Sequence, residues 1–342
     1  MTKKRNEFID IIKGVAIILV VIGHCIQYGS GKEFFVSNNF FHNPLFKFIY
    51  SFHMPLFMLV SGYLFFFTIQ KKIWIVIKEK IRGLLFPLIS WNTFFLLISI
   101  ILFGSISPSL FIGSYFHTLW FLRALLFCCF VVLFINKIFK DNLIVYIILY
   151  FILYMIPNHI IPEVFIFVTP FFICGYLFNK FKERKTLFQA NRQTKKCSIL
   201  IILFSYIFLL YHFQDDYYAY VSKTYIFNPR YSIYFMIKVN IIRDITAMTG
   251  CISFISVLHY VYYKYLISTN YSIIIVALAK SSICIYIINH YLNEMILIFL
   301  PINNLSYLYI ITESICILLI GYVTHFLLKK NQITKSLFLG GR

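Results

Sequence analysis

Acidic side chains are scarce. The 342 residues hold 12 Asp and Glu against 31 Lys and Arg, for a formal net charge of +19. Charged residues of both signs make up only 13%, where a soluble domain carries roughly 25%, so an ordinary soluble fold is excluded. Glycine (13), proline (9) and tryptophan (3) are few. They leave no Gly/Pro-rich linker, and neither an internal repeat nor a low-complexity tract is visible. The eight cysteines form no CxxC pair, and all but Cys197 lie inside apolar runs. They read as small buried hydrophobes, not as a disulfide frame or a metal site.

What fills the chain is apolar: 61% of it, with 40 Phe and 26 Tyr. Disorder needs low hydrophobicity, so the composition predicts an all-α polytopic membrane protein. Nucleic-acid binding would call for a contiguous basic face. Here the cations fall in short clusters between apolar runs, as in cytoplasmic membrane loops, and no nucleic-acid partner is expected.

A spanning helix takes about 20 mostly apolar residues. Ten candidates are expected, at 8–27, 45–68, 83–103, 119–136, 142–157, 162–179, 198–213, 241–263, 281–300 and 305–328. They form one integral-membrane domain over 1–342. The first run follows Lys3, Lys4 and Arg5 without a small-residue cleavage site, so it is expected to stay as a helix. Basic residues concentrate in alternate connections, notably Lys71, Lys72, Lys78, Lys80 and Arg82, and again at Lys180–Lys196. The positive-inside rule then places both termini in the cytoplasm. The Tyr-rich stretch 212–240 falls outside in this arrangement and has room for an interfacial or re-entrant piece.

Ionisable groups inside a bilayer are costly and are functional candidates by default. The first helix carries Asp10, Lys13 and His24. At about 100° per residue, Lys13 and His24 lie about 20° apart around the axis and about 16 Å apart along it. They share a stripe but cannot touch. Lys13 would serve the cytoplasmic mouth and His24 a deeper position, and Asp10 is spaced to pair with Lys13. Snorkelling of Lys13 and an interhelical hydrogen bond from His24 are the alternatives. A second group is Ser51-Phe52-His53-Met54-Pro55 with Ser61-Gly62-Tyr63, where Pro opens the helix ladder and Ser-Gly permits close helix approach. A third is His117-Thr118-Leu119-Trp120-Phe121-Leu122-Arg123, which also suits an interfacial aromatic belt. A fourth is Tyr286, His290 and Glu294, spaced four apart on one face. Arg243 and Asp244 can neutralise each other or line the same cavity. The cluster Lys71, Lys72, Lys78, Lys80 and Arg82 suits a clamp for a phosphorylated ligand, or serves topology alone. The histidines are scattered over different helices, and no metal site is expected.

In this order the motifs resemble the membrane acyltransferase family often called acyltransferase family 3, especially its fucose 4-O-acetylase-like and surface-polysaccharide O-acetyltransferase branch. Lys13 and His24 fit its basic-residue-then-ten-then-His pattern. Phe52-His53-Met54-Pro55, Leu119-Trp120-Phe121-Leu122 and Ser281-Ser282 through Tyr286 and His290 follow on the expected helices. One departure stands out: where the family shows two basic residues three apart before the third helix, this chain has Lys80 and then Gly83, with Arg82 beside it. The resemblance implies transfer of an acyl group, most often acetyl, from cytosolic acetyl-CoA to a sugar hydroxyl of a surface polysaccharide or its lipid-linked precursor. It places the enzyme in the bacterial cytoplasmic (inner) membrane. On this reading His24 is the general base, and Asp10 and Lys13 organise the mouth. Lys13, Lys80 and Arg82 meet the donor phosphates. His53, Ser61, His117, Trp120, Arg123, Arg243, Tyr286 and His290 position the acceptor. A succinyl or other acyl donor, an acyl-histidine intermediate, and a glycan or lipid transporter without chemistry are the alternatives.

Overall fold

The computed structural model describes residues 6–30, 39–104, 118–183, 192–221, 223–267, 269–299 and 306–341. Every long element in them is a helix: α1 (Glu7–Gly29), α2 (Pro44–Ile69), α3 (Ile73–Lys80), α4 (Phe86–Phe103), α5 (Trp120–Phe139), α6 (Leu143–Met155), α7 (Glu163–Glu183), α8 (Arg192–Tyr211), α9 (Ile233–Val261), α10 (Asn270–Lys280), α11 (Ser282–Phe299), α12 (Tyr307–Lys329) and α13 (Gln332–Leu339). Local chemistry sets several starts. The Asn6 side chain accepts from Phe8 N at 3.1 Å. Asn43 accepts from Leu45 N and Phe46 N, with Pro44 at the first helical position, where its missing N–H costs nothing.

By length and composition, seven stretches suffice to cross a membrane, and α10 with α11 make an eighth if that bent pair is one span. The α6 helix and the segment Lys196–Tyr211 are shorter apolar helices. Large apolar side chains such as Ile101, Tyr211, Leu308 and Ile144 face outward. That surface is far more apolar than a soluble monomer tolerates, and the protein is a multi-pass membrane protein.

Several boundaries differ from those expected. The third span begins at Ile73, because a π turn at Ile81–Leu85 carries α3 into α4. The α9 helix begins at Ile233, taking in residues expected in the Tyr-rich connection. Much of the expected connection at 264–280 is the helix α10, which meets α11 at a 71° bend. A further helix, α13, follows the last span. The periodicity of a short amphipathic helix is easily lost beside long apolar runs. Cys174 and Cys316 are exposed on outward faces, whereas Cys25, Cys128, Cys129, Cys251 and Cys284 are buried.

The bundle is tight where glycines meet backbone. The helices α2 and α7 touch through a reciprocal pair. A Cβ on Gly62 would lie 1.9 Å from the Phe172 carbonyl oxygen, and one on Gly175 would lie 1.9 Å from that of Leu59. Gly62 of the Ser61-Gly62 pair therefore permits the close approach, as small residues do between membrane helices. A Cβ on Gly14 would meet the Ile275 carbonyl at 2.2 Å, so α10 lies against α1. The α13 helix folds back on the start of α4. Trp91 Nε1 donates to the Phe338 carbonyl at 3.1 Å, and Gly340, at φ +65°, rests on Gly83. A Cβ on Gly340 would lie 2.6 Å from Gly83 Cα, so Gly340 permits this contact.

Candidate active site

His24 sits half-buried in the C-terminal half of α1. Its Nδ1 is 2.5 Å from the side-chain nitrogen of Asn289 on α11. Asn293, one turn on, donates from its own amide to Asn289 Oδ1 at 2.9 Å and to the Asn289 carbonyl at 2.7 Å. His53 and His290 stand within electrostatic reach of the same imidazole. His24, His53 and His290 are thus brought together from three helices.

His53 is buried on α2, with its Nδ1 2.8 Å from the Ile49 carbonyl. A carbonyl only accepts, so Nδ1 carries the proton and Nε2 the lone pair. The Tyr50 ring lies against His53 at 4.6 Å between centroids, and the Tyr50 hydroxyl donates to Gln27 Oε1 at 3.1 Å. Ser51 and Tyr206 share a hydrogen bond of 2.9 Å. Ser61, two turns further along α2, is half-buried near the Gly62 contact, away from the cavities that follow.

Three cavities adjoin one another. The smallest, of about 10 Å³, is lined by Tyr50, His53, Trp120, Tyr217 and Arg243, among others. It has room for about one water. The middle one, of about 40 Å³, is almost wholly apolar. Met54 belongs to both, and Ile17, Phe57, Leu84 and Tyr286 line the middle one. Ser282 and Ile283 line the middle chamber and also a cleft of about 320 Å³ that contains Lys13, Lys280, His325 and Lys329. A wider cleft of about 550 Å³ holds Glu7 and Asp10 and shares Lys280, His325 and Lys329. The lysine-rich clefts lie where α1 begins and the histidines where it ends.

Arg243 is fully buried on α9. It donates to Asn240 Oδ1 and lies 5.0 Å over the Phe167 ring. Its Nε and Nη1 are buried and meet no hydrogen-bond partner among the described residues. Asp244 accepts instead from Tyr150 and Tyr154, at 2.9 and 2.6 Å. Arg243 lines the small cavity, which Asp244 does not. Tyr286 accepts from the backbone N–H of Phe121 at 3.4 Å, which ties α11 to the start of α5, where Trp120 and Arg123 sit. His290 Nε2 lies 3.4 Å from Glu294 Oε1.

Other expected site residues stand apart. Lys80 lies 4.9 Å over the Phe65 ring. The Arg82 guanidinium lies against Gly341, just past the cleft residue Leu339, so it flanks the Lys13 cleft and does not line it. His117 lies outside the described residues. Among the described residues, no cluster of three His, Cys, Asp or Glu is arranged to hold a metal ion.

Asn289, Asn293, Lys280, His325 and Lys329 were not anticipated as site residues. Asn289 and Asn293 carried a readable signal: two amides four apart in an apolar helix lie on one face and are costly in a membrane unless paired. The lysines and His325 carried none, since their place beside Lys13 depends on how α10, α11 and α12 converge.

Comparison with known proteins places the chain in a family. A stretch 41% identical over 88 residues is shared with nodulation protein NolL of Sinorhizobium fredii, covering 25% of this chain and 23% of that one. NolL of Mesorhizobium japonicum is also 41% identical, over 93 residues, covering 27% and 24%. The chain therefore spans about a quarter of the length of these curated relatives. No solved structure matches. The family described as "Acyltransferase domain" matches residues 6–328. With that match running nearly end to end through the helices that carry Lys13, His24, His53 and Tyr286, the chain belongs to this acyltransferase family.

Proposed function

We propose that the protein is a membrane O-acetyltransferase. It takes acetyl from acetyl-CoA on the cytoplasmic side and delivers it to a sugar hydroxyl of a surface polysaccharide or its lipid-linked precursor. The setting is the bacterial cytoplasmic membrane, with ten crossings and both termini inside. The observation that carries this reading is the line of adjoining cavities: a cationic cleft, an apolar chamber, then a small chamber lined by His53 and Arg243.

Each part suits one portion of the reaction. Lys13, Lys280 and Lys329 supply point charges for the donor phosphates, with Arg82 flanking them. A cleft of about 320 Å³ falls within the usual range for small-molecule sites. The apolar chamber suits the uncharged arm that carries the thioester. His24 takes the proton of the acceptor hydroxyl as its oxygen attacks the thioester carbonyl. The C–O bond forms, the C–S bond breaks, and the proton passes on to the departing thiolate. His53, Trp120, Arg123, Tyr286 and His290 hold the acceptor. Arg243 favours one variant of this reading. A buried guanidinium with unpartnered nitrogens seeks an anion, and the free carboxylate of a succinyl donor or an acidic acceptor sugar would supply it.

The test is the O-acetyl content of the surface polysaccharide, read by proton NMR in a host lacking the protein. The host is complemented with wild type or with His24→Ala. Acetyl signals are expected to return with wild type alone. Equal acetyl content in all strains would overturn the acetyl reading, and full restoration by His24→Ala would overturn the role of His24.

A further inference from the structure

The hydrogen bonds around His24 run in one direction, and that direction fixes where its proton sits. The chain starts from a backbone carbonyl. The Asn293 side chain lies 2.7 Å from the Asn289 carbonyl. A carbonyl only accepts, so the Asn293 nitrogen must face it. That same nitrogen lies 2.9 Å from the Asn289 side chain, which must therefore present its oxygen. The Asn289 nitrogen is thereby turned toward His24 Nδ1. An amide N–H donates, so Nδ1 accepts, and the neutral ring carries its proton on Nε2. Reversing Asn289 alone would set two amide nitrogens against each other. Reversing both would set the Asn293 oxygen against the Asn289 carbonyl. Asn293 Oδ1 is buried without a partner among the described residues, so no further group pulls on it.

From this we infer that Asn289, anchored by Asn293, is a positioning residue that fixes the His24 ring and holds it in the tautomer protonated on Nε2. Among the described residues nothing bonds Nε2, which is the edge left for substrate. The consequence for rate rests on the acyl-transfer reading. At rest, His24 presents a donor at that edge. It becomes a base there once Asn289 and Asn293 turn together, giving up the bond to the Asn289 carbonyl, so that Asn289 Oδ1 faces Nδ1 and one proton moves from Nε2 to Nδ1 through water, with no net change of charge. His53 is held the opposite way, with its proton on Nδ1 against the Ile49 carbonyl. The two imidazoles therefore face their surroundings in complementary states.

The test is solid-state NMR of the full chain in lipid bilayers, with ¹⁵N-labelled histidine and His24→Gln to identify the His24 signals. Wild type is expected to show a pyrrole-like Nε2 and a pyridine-like Nδ1. Asn289→Asp can only accept, and it also suits the Asn293 donor; it is expected to exchange the two signatures. Asn293→Ala is expected to give a mixture. Asn289→Leu is expected to lower kcat by about 100-fold with KM little changed, while Asn289→Asp stays within about tenfold of wild type. A pyrrole-like Nδ1 in wild type, or unchanged His24 signals in Asn289→Asp, would overturn the inference. The expected spectra from a wild type that transfers no acyl group would leave the positioning role standing and remove the acyltransferase reading instead.

Discussion

Adding one methyl group at Gly62 should disable the enzyme from a distance. In Gly62→Ala the new Cβ would lie 1.9 Å from the Phe172 carbonyl oxygen, whereas side-chain Cβ atoms essentially never come within 3.0 Å of a neighbour. The obstructing atoms are backbone, so no rotamer change relieves the clash. The α2 and α7 helices must part by about 1.1 Å, the difference between those two distances, at this point. Overpacking of this kind costs about 1–3 kcal/mol. The functional cost is expected to be larger. The α2 helix carries His53 and Met54, and α7 carries Val164 and Phe167 on the wall of the small cavity. Displacing reacting groups by about 1 Å can cost about 100-fold in rate. Gly175→Ala meets the Leu59 carbonyl in the same way and should reproduce the defect. The double variant should fall short of the sum, because either methyl alone already separates the helices. The assay pairs thermal unfolding of purified protein with acetyl transfer in membranes at matched protein level. Wild-type transfer and wild-type melting in Gly62→Ala would refute the reasoning.

Three further outcomes are expected. Lys280→Gln with Lys329→Gln should raise KM for acetyl-CoA about tenfold with kcat unchanged, since the charges they remove act on binding; initial-rate kinetics decide, and an unaltered KM would exclude these lysines from the donor cleft. Asp141, in the connection between α5 and α6, is pushed up by burial, but hydrogen bonds from Lys180, Tyr176, Asn136 and Tyr146 outweigh this and hold its carboxyl below the ordinary value. Its contribution to stability is therefore fully present above the ordinary carboxylate value and is lost as pH falls through the lowered native one. Melting curves from neutral to acid pH should show that loss in wild type and not in Asp141→Asn, and parallel acid slopes would contradict the assignment. Gly340→Ala should destabilise more than Gly104→Ala. Both have positive φ, but the first would place a Cβ 2.6 Å from Gly83 Cα and the second meets nothing within 4 Å. The left-handed conformation alone costs about 1–2 kcal/mol, and equal melting points for the two variants would show that α13 does not rest on Gly83.

By itself, the amino-acid sequence determined the class of this protein. A chain that is 61% apolar and 13% charged has to bury its backbone polar groups in helices within a bilayer. Helical spacing put Lys13 and His24 on one stripe, and the order of short motifs identified the family. Tertiary structure decided the rest, because it depends on which helices meet. Asn289 bears on His24 only because α11 crosses α1 there. Lys280 and Lys329, which read as loop charges along the chain, become walls of the Lys13 cleft because α10 bends by 71° into α11 and α12 closes beside them. Gly83 is a departure from a basic motif along the chain, and only the fold sets Gly340 against it. Helical periodicity fixes which residues share a face, while contact between faces is settled by close packing of distant segments, which no local pattern encodes.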